Sequence, residues 1–249
     1  MNALRSIVFN FFYITGSLVI SLFMLWTVYL PPKRCVEITG TVYSDYIVFI
    51  TRWIMGIKLD IRGMENLPKD GNFIIAAKHQ SAFETLTIPF MKIFSFPAIV
   101  LKIELTRIPL WGRYPMAMGQ IPIIRGSGTE ALSVIISGCR KALADGRNII
   151  IFPQGTRVKP GDKAPMKPGL AKLYKDLQVT VVPMALNTGV FWGKNAFFKT
   201  PGTAVFEFLP PIPPGQPPLK MMAQMEEALE TASDRLAAEA RAEIEKNPE

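Results

Sequence analysis

The strongest hydrophobic pattern lies at the amino end. Residues 7–30 form an uncharged, mostly apolar run of 24 residues. As a helix it would extend about 36 Å, enough to cross a hydrocarbon core of about 30 Å. Arg5 precedes the run; Lys33 and Arg34 follow it, just past Pro31 and Pro32. The pattern predicts a membrane-attached helix. Its length, and the lack of a small-x-small cleavage site beyond it, argue against a signal peptide. Asn10, Thr15, Ser17, Ser21 and Thr27 interrupt the apolar face, so crossing the bilayer and lying in one leaflet both remain open. Residues 42–58 form a second apolar segment, broken by Asp45, Arg52 and Lys58. It reads as an amphipathic helix lying on the bilayer or packed against the body.

From Asp60 onward the period changes. Short β-branched runs alternate with helical stretches, which predicts an α/β fold with a mixed sheet flanked by helices. The expected strands are Lys58–Arg62, Asn72–Ala77, Ala98–Leu101, Asn148–Phe152, Thr180–Ala185 and Thr203–Phe208. The expected helices are Ala82–Lys92, Thr129–Ala144, Gly169–Leu177 and Pro218–Glu245. Gly146 is placed to cap the second of these. In the last helix Met222, Met225, Leu229 and Leu236 recur near helical spacing, and the Pro-rich stretch 210–218 leads into it. The chain thus divides into an attachment region (1–58), a core (59–213) and a C-terminal helix packed on the core (214–249).

Composition narrows the partners. Of 249 residues, 49% are hydrophobic and only 19% charged, below the roughly 25% usual for soluble domains. This rules out disorder and favours a membrane partner. Residues 1–219 carry a net charge of +12 and residues 220–249 a net of −4. A basic body suits anionic lipid or phosphorylated small molecules. The scattered Lys and Arg residues, with no aromatic-interleaved signature, argue against nucleic acid. Two cysteines exclude a disulfide framework and suit a reducing compartment. The single histidine, His79, excludes a multi-histidine zinc site, and no metal is expected.

His79 follows an apolar strand and precedes Gln80-Ser81-Ala82-Phe83-Glu84. Residues five apart do not share a helical face. His79 and Glu84 meet only if His79 sits in a strand-to-helix turn and Glu84 in the first helical turn, with Ser81 as cap. That arrangement is a histidine–carboxylate dyad, in which one ring nitrogen is held and the other removes a proton. The patch Gly119–Gly126 places Arg125 after an apolar strand, where a guanidinium fits phosphate oxygens. The turn Phe152-Pro153-Gln154-Gly155-Thr156-Arg157 ends a buried strand, exposing amides and Arg157 at the rim. A basic loop with Lys159, Lys163 and Lys167 follows. Val182–Asn187 ends another strand near the same rim. Taken singly, each patch reads as structure.

Their order and spacing resemble the glycerolipid acyltransferase superfamily, in particular the 1-acyl-sn-glycerol-3-phosphate acyltransferases. That family carries His-x4-Asp, then Ile-Pro-Ile-x-Arg, then Phe-Pro-Glu-Gly-Thr-Arg, then a Val-Pro-rich strand. The counterparts here are HQSAFE from His79, IPIIR to Arg125, FPQGTR from Phe152 and VVPMALN to Asn187. Lys102, Glu104 and Leu105 match the family's Lys-x-Glu-Leu region. The resemblance covers roughly Leu59 to Pro213. Glu84 replaces the usual Asp, and Gln154 the usual Glu.

The resemblance implies acyl transfer from acyl-CoA or acyl carrier protein to a lysolipid hydroxyl, with no other cofactor. It implies His79 as base, Glu84 as its orienting partner, and Arg125 with Lys102 and Arg157 on the acceptor phosphate. Gln154, Gly155 and Thr156 would line the substrate site. Amides near Gly155, or at Gln80–Ser81, would stabilise the oxyanion. The positive flank at Lys33 and Arg34 favours a cytoplasmic body, so the expected location is the cytoplasmic face of the inner (plasma) membrane. Three alternatives stand beside it: another lysolipid acceptor such as a lyso-ornithine lipid, a membrane thioesterase or serine hydrolase, and a non-catalytic lipid-binding protein of the same fold. No Gly-x-Ser-x-Gly elbow supports the hydrolase.

Overall fold

The computed structural model describes residues 2–91, 93–94, 96–124 and 128–246. Seven strands form one sheet: β1 (Ile57–Arg62), β2 (Phe73–Ala77), β3 (Ala98–Lys102), β4 (Ile121–Ile123), β5 (Ile149–Ile151), β6 (Thr180–Leu186) and β7 (Gly202–Phe208). Their order is β1-β7-β6-β2-β5-β3-β4. Among the described strands only β6 and β7 pair antiparallel; every other neighbouring pair is parallel. The sheet is therefore mixed, as expected, and β4 is the apolar run that precedes Arg125.

The helices are α1 (Asn2–Phe23), α2 (Pro32–Cys35), α3 (Thr41–Trp53), α4 (Phe83–Thr87), α5 (Arg113–Ala117), α6 (Gly128–Ala144), α7 (Gly169–Leu177), α8 (Thr188–Phe191) and α9 (Pro218–Lys246). A π-helical turn, Val36–Gly40, joins α2 to α3. Three expected helices differ from those observed: the 42–58 helix ends at Trp53, and Ile57 and Lys58 begin β1. The 82–92 helix stops at Thr87 and tightens into a 3₁₀ turn, Ile88–Phe90. Pro89 has no N–H with which to continue the α-helical ladder. The 7–30 run begins as helix at Asn2, ends at Phe23 and continues as a 3₁₀ helix over Leu25–Tyr29. Gly146 caps α6 as expected, with φ +74° and its N–H bonded to the Leu143 carbonyl.

Strand alternation sorts the sheet into two faces. Phe73, Ile75 and Ala77 of β2 pack with Phe83, Phe206 and the residues of α3; Ile74 and Ala76 pack with α6, α7 and α9. A central strand covered on both faces must be apolar throughout, and β2 is buried at every position.

The amino-terminal helices belong to this core. Phe9, Tyr43, Ile47 and Ile50 share one buried cluster with Phe73 and Phe206. Gly16 lets α1 approach α3, because a Cβ there would lie 1.9 Å from the Tyr46 hydroxyl. That hydroxyl instead donates to the Phe12 carbonyl at 2.5 Å. Both ends of α1 are tied to the body. The Lys199 amide donates to Ser6 Oγ at 3.0 Å, and the Tyr114 hydroxyl donates to the Ser21 carbonyl at 2.5 Å. One face of the helices in residues 2–58 thus packs against the core. On α9 the buried face is Met221, Met225, Leu229, Leu236 and Ala240, with Met221 rather than Met222 fully enclosed.

Candidate active site

The site grows from the carboxyl ends of β2, β3, β5 and β6, where parallel sheets gather ligands. β2 ends at Ala77, and the chain turns through Lys78 to Ser81 before α4 begins. Ser81 Oγ accepts the Phe83 N–H at 3.1 Å, closing the turn one residue outside the helix cap. Glu84 therefore sits in the first turn of α4, where an anion is favoured.

This turn brings His79 and Glu84 together. His79 Nδ1 lies 2.9 Å from Glu84 Oε1. The same oxygen accepts the Gln80 amide at 2.7 Å and the Ser81 amide at 2.6 Å. Glu84 Oε2 accepts the Thr188 hydroxyl at 2.8 Å. Glu84 is fully buried, so four donors replace its water. A carboxylate accepts only, so Nδ1 carries the proton and Nε2 is left basic. His79 is 8% exposed, and its ring stacks on Phe152 at 4.3 Å. Gln80 is buried beside the dyad, and its Oε1 accepts the Gly189 N–H at 3.1 Å. Gly189 is required there, since a Cβ would lie 2.9 Å from Gln80 Cβ.

His79 opens on a cavity of about 730 Å³. Lys102, Thr156, Arg157 and Lys194 line its polar part, and Ile20, Leu86, Ile99, Val100 and Met118 its apolar part. The helix α1 supplies a wall through Tyr13, Ser17 and Leu18. Lys102 Nζ lies 3.2 Å from Glu104, and both side chains are substantially exposed. Arg157 donates to Asn195 Oδ1 at 3.1 Å.

Of the residues singled out from sequence, His79, Lys102, Thr156 and Arg157 line the cavity together. Arg125 lies outside the described residues. Gln154 and Gly155 are not among the described residues lining the cavity. Gln154 is 3% exposed, and its amide nitrogen points to the Ala164 carbonyl at 3.5 Å, inside the loop that follows. Gly155 serves the turn instead, with φ +66° and its N–H bonded to the Phe152 carbonyl at 2.9 Å. The amides of Gln80 and Ser81 are committed to Glu84, and that of Gly155 to Phe152, so these three are already engaged.

Two site residues carried no readable signal. Thr188 starts α8 directly after the strand ending at Asn187, and only the fold brings it to Glu84. Lys194 follows Trp192 and Gly193 in a turn that reaches the cavity rim. Arg147 was likewise missed. Its guanidinium bonds the carbonyls of Phe96, Pro97, Met118 and Gly119 and stands 3.9 Å over the Phe96 ring. Burial lowers its pKa to about 10. It locks the loops entering β3 and β4.

Fold and site define an α/β protein with a carboxylate-oriented histidine facing a cavity of lipid-like size. Residues 58–187, just over half of the chain, match the acyltransferase family model, and the chain belongs to that family. It is 33% identical over 162 residues to the 1-acyl-sn-glycerol-3-phosphate acyltransferase of Pseudomonas aeruginosa, covering 65% of this chain and 62% of that protein. It is 34% identical over 165 residues to the protein of the same name from Borreliella burgdorferi, covering 66% of this chain and 64% of that protein. The chain therefore spans just under two thirds of the length of these relatives. The crystal structure of the 1-acyl-sn-glycerophosphate acyltransferase PlsC from Thermotoga maritima shares the fold. Its TM-score is 0.75 at 22% identity, over 96% of this chain and 100% of that one.

Proposed function

We propose that the protein transfers a fatty acyl group from an acyl thioester to the sn-2 hydroxyl of 1-acyl-sn-glycerol 3-phosphate, forming phosphatidic acid. The observation that carries this reading is the dyad in its cavity. His79 Nδ1 is held by Glu84, and the ring faces a space with cations on one side and apolar side chains on the other. The names of the Pseudomonas and Borreliella relatives supply the substrate class.

In this mechanism Nε2 of His79 takes the proton of the acceptor hydroxyl as its oxygen attacks the thioester carbonyl. The C–S bond then breaks, and the imidazolium returns the proton to the departing thiolate. Glu84 offsets the transient charge on His79. The lysolipid itself is the nucleophile, so no acyl-enzyme forms. Arg157, Lys102 and Lys194 hold the acceptor phosphate, together with Arg125 from the resemblance. The Gln80, Ser81 and Gly155 amides are engaged elsewhere, so the proposed oxyanion donor is another amide of the Gly155 turn, such as the N–H of Thr156 on the cavity wall. Acyl-CoA or acyl carrier protein is the donor.

The same reading places the protein on a membrane. α1 is the one helix among the described residues long and apolar enough to cross a bilayer. Its two ends are pinned to the body through Ser6 and Ser21, and Leu4, Phe11, Leu18 and Phe23 stay exposed. A helix held along the body buries its free face in one leaflet without crossing. This brings the cavity to the lipid, since drawing an acyl chain into water costs about 0.8 kcal/mol per CH₂. The cytoplasmic face of the inner membrane, where thioester donors are made, is the proposed side.

Purified protein in anionic vesicles, given acyl-CoA and a panel of lysolipids, tests the reading by mass spectrometry of products. Phosphatidic acid is expected from lysophosphatidate. Exclusive acylation of a different acceptor, or binding without turnover, would replace this reading. The Gln154 substitution lends little weight to a different acceptor, because its side chain turns into the loop and away from the cavity.

A further inference from the structure

The loop that joins α8 to β7, residues 192–201, holds two adjacent phenylalanines out in solvent. Phe197 is 54% exposed and Phe198 62%, and their rings meet edge-on at 5.1 Å. Both lie beyond the span that matches the acyltransferase family. Much of the loop's polar backbone is already paired. The Phe197 carbonyl accepts Asn10 Nδ2 at 3.1 Å and Lys199 Nζ at 3.0 Å. The Ala196 amide donates to the Gly193 carbonyl at 3.2 Å, the Lys199 amide to Ser6 Oγ at 3.0 Å, and the Thr200 amide to the Phe191 carbonyl at 2.9 Å. Unpaired peptide groups are costly in hydrocarbon, so a loop tied in this way can present rings to lipid at little backbone cost.

Asn10 also fixes where the pair lies. On α1, Ile7 and Ile14 stand three residues before Asn10 and four after it, so they share its side of the helix. Both are exposed, at one edge of the apolar face of α1, and the two phenylalanines extend that face sideways. On the other edge the Tyr46 hydroxyl reaches the Phe12 carbonyl and brings up α3, whose Phe49 and Trp53 are also exposed. Three elements thus form one apolar surface with α1 in the middle. The cavity opens within it, because Ile14 and Leu18 line the cavity and are themselves exposed. Lys194, three residues before Phe197, lines the same cavity. A second copy of the chain, or another protein, seated here would close that opening. A bilayer covers the surface and supplies lipid through it. Lys194 and Arg52, both exposed on elements of this surface, suit anionic head groups.

We propose that Phe197 and Phe198 insert into an anionic bilayer as a second anchor beside α1. This rests on the membrane reading above, which gave α1 alone that task, and goes beyond it. A single helix lying in one leaflet leaves the body free to roll about the helix axis. A second anchor on a different element removes that freedom and sets the cavity opening against the lipid. Aromatic rings suit this depth, since they favour the region between hydrocarbon and head groups. Lys194 is then held at head-group level, where it meets the phosphate of an incoming lysolipid.

The double variant Phe197→Ser with Phe198→Ser removes both rings from an exposed position. Its binding to vesicles of phosphatidylglycerol and phosphatidylcholine is measured by sedimentation. The expected result is an affinity about tenfold below wild type, with an unchanged thermal midpoint. Depth is read separately from Phe198→Cys carrying an environment-sensitive fluorophore; Cys35 and Cys139 are buried and do not compete for the label. Its emission should shift to the blue on vesicles and be quenched by lipids spin-labelled near the head group. A label that stays in water on vesicle-bound protein, or a double variant that binds as tightly as wild type, overturns this inference and leaves the α1 reading standing. A blue shift that follows protein concentration without vesicles gives the surface to a second copy and also overturns it. Wild-type protein that does not bind the vesicles overturns both.

Discussion

His79 and Glu84 are joined at 2.9 Å across a five-residue turn whose two intervening amides close on the same carboxylate oxygen. Position 84 therefore sets the turn as well as the imidazole. Aspartate, the usual residue of the family pattern, is one carbon shorter and cannot reach all three donors from this backbone. Glu84→Asp is expected to lower kcat about tenfold, and Glu84→Gln about 100-fold or more, because the amide loses the charge that supports the imidazolium. His79→Ala removes the base and should cost about 1,000-fold. Radiolabelled acyl transfer measures all three; a Glu84→Asp enzyme as fast as wild type would show that the turn is not built around the longer side chain.

Much of this site was legible because its parts are local. A strand, a five-residue turn and a capped helix lie within Phe73–Thr87, and the spacing allows His79 and Glu84 to meet once a turn falls between them. The six expected strands were legible from β-branched runs at turn-bounded spacing. What stayed hidden depends on long-range closure. Thr188 reaches Glu84 across 104 residues, and Lys78 reaches Glu230 across 152. The orientation of Gln154 was illegible for a different reason. A residue beside Gly155 and Thr156 can face either the cavity or the loop, and the φ of Gly155 together with the Lys167–Pro153 backbone bond turns it to the loop. The hydrophobic run at the amino end announced a membrane helix, but its packing through Phe9 and Gly16 depends on partners more than 25 residues away.

Gln154→Glu restores the family residue in an enclosure that no longer suits it. The side chain is buried, its nitrogen faces the Ala164 carbonyl, and its Oε1 has no hydrogen-bond partner among the described residues. A carboxylate would set an acceptor against an acceptor in a site with little water. The expected cost is about 1–3 kcal/mol of stability, with no gain in acyl transfer. Urea unfolding and the standard assay decide it. An unchanged midpoint with faster turnover would mean that position 154 serves the substrate.

The pair Lys78–Glu230 links the residue before His79 to α9, and both side chains are largely enclosed. Glu230→Gln leaves the Lys78 ammonium buried without its counter-charge, which typically costs about 3–5 kcal/mol. Replacing both partners, as Lys78→Met with Glu230→Leu, should recover most of that loss, because apolar side chains need no desolvation compensation. Unfolding curves of the single and double variants give the comparison. A single variant as stable as wild type would show that the pair carries no structural role.

Lys199 makes a prediction in which pH is the variable. Its amine is buried between the rings of Phe9 and Trp192, at 5.0 and 5.4 Å, and donates to Asn10 Oδ1 at 2.5 Å and the Phe197 carbonyl at 3.0 Å. Desolvation pushes its pKa down from 10.5 to about 8. Between these values the unfolded chain holds a proton that the folded chain has released, so this residue's contribution to stability increases as pH rises from about 8 to 10.5. Below pH 8 the full cost of burying the ammonium is present. Buried groups with raised pKa values, such as the Cys139 thiol at about 12, act in the opposite direction, but they are common to wild type and variant. The difference in thermal midpoint between wild type and Lys199→Met therefore isolates the lysine. It should move in favour of wild type as pH is raised from 8 to 10.5, and stay flat between pH 6 and 7.5. Midpoints that run parallel across the whole range would mean that Lys199 ionises alike in both states and that the amine clasp on α1 stays hydrated.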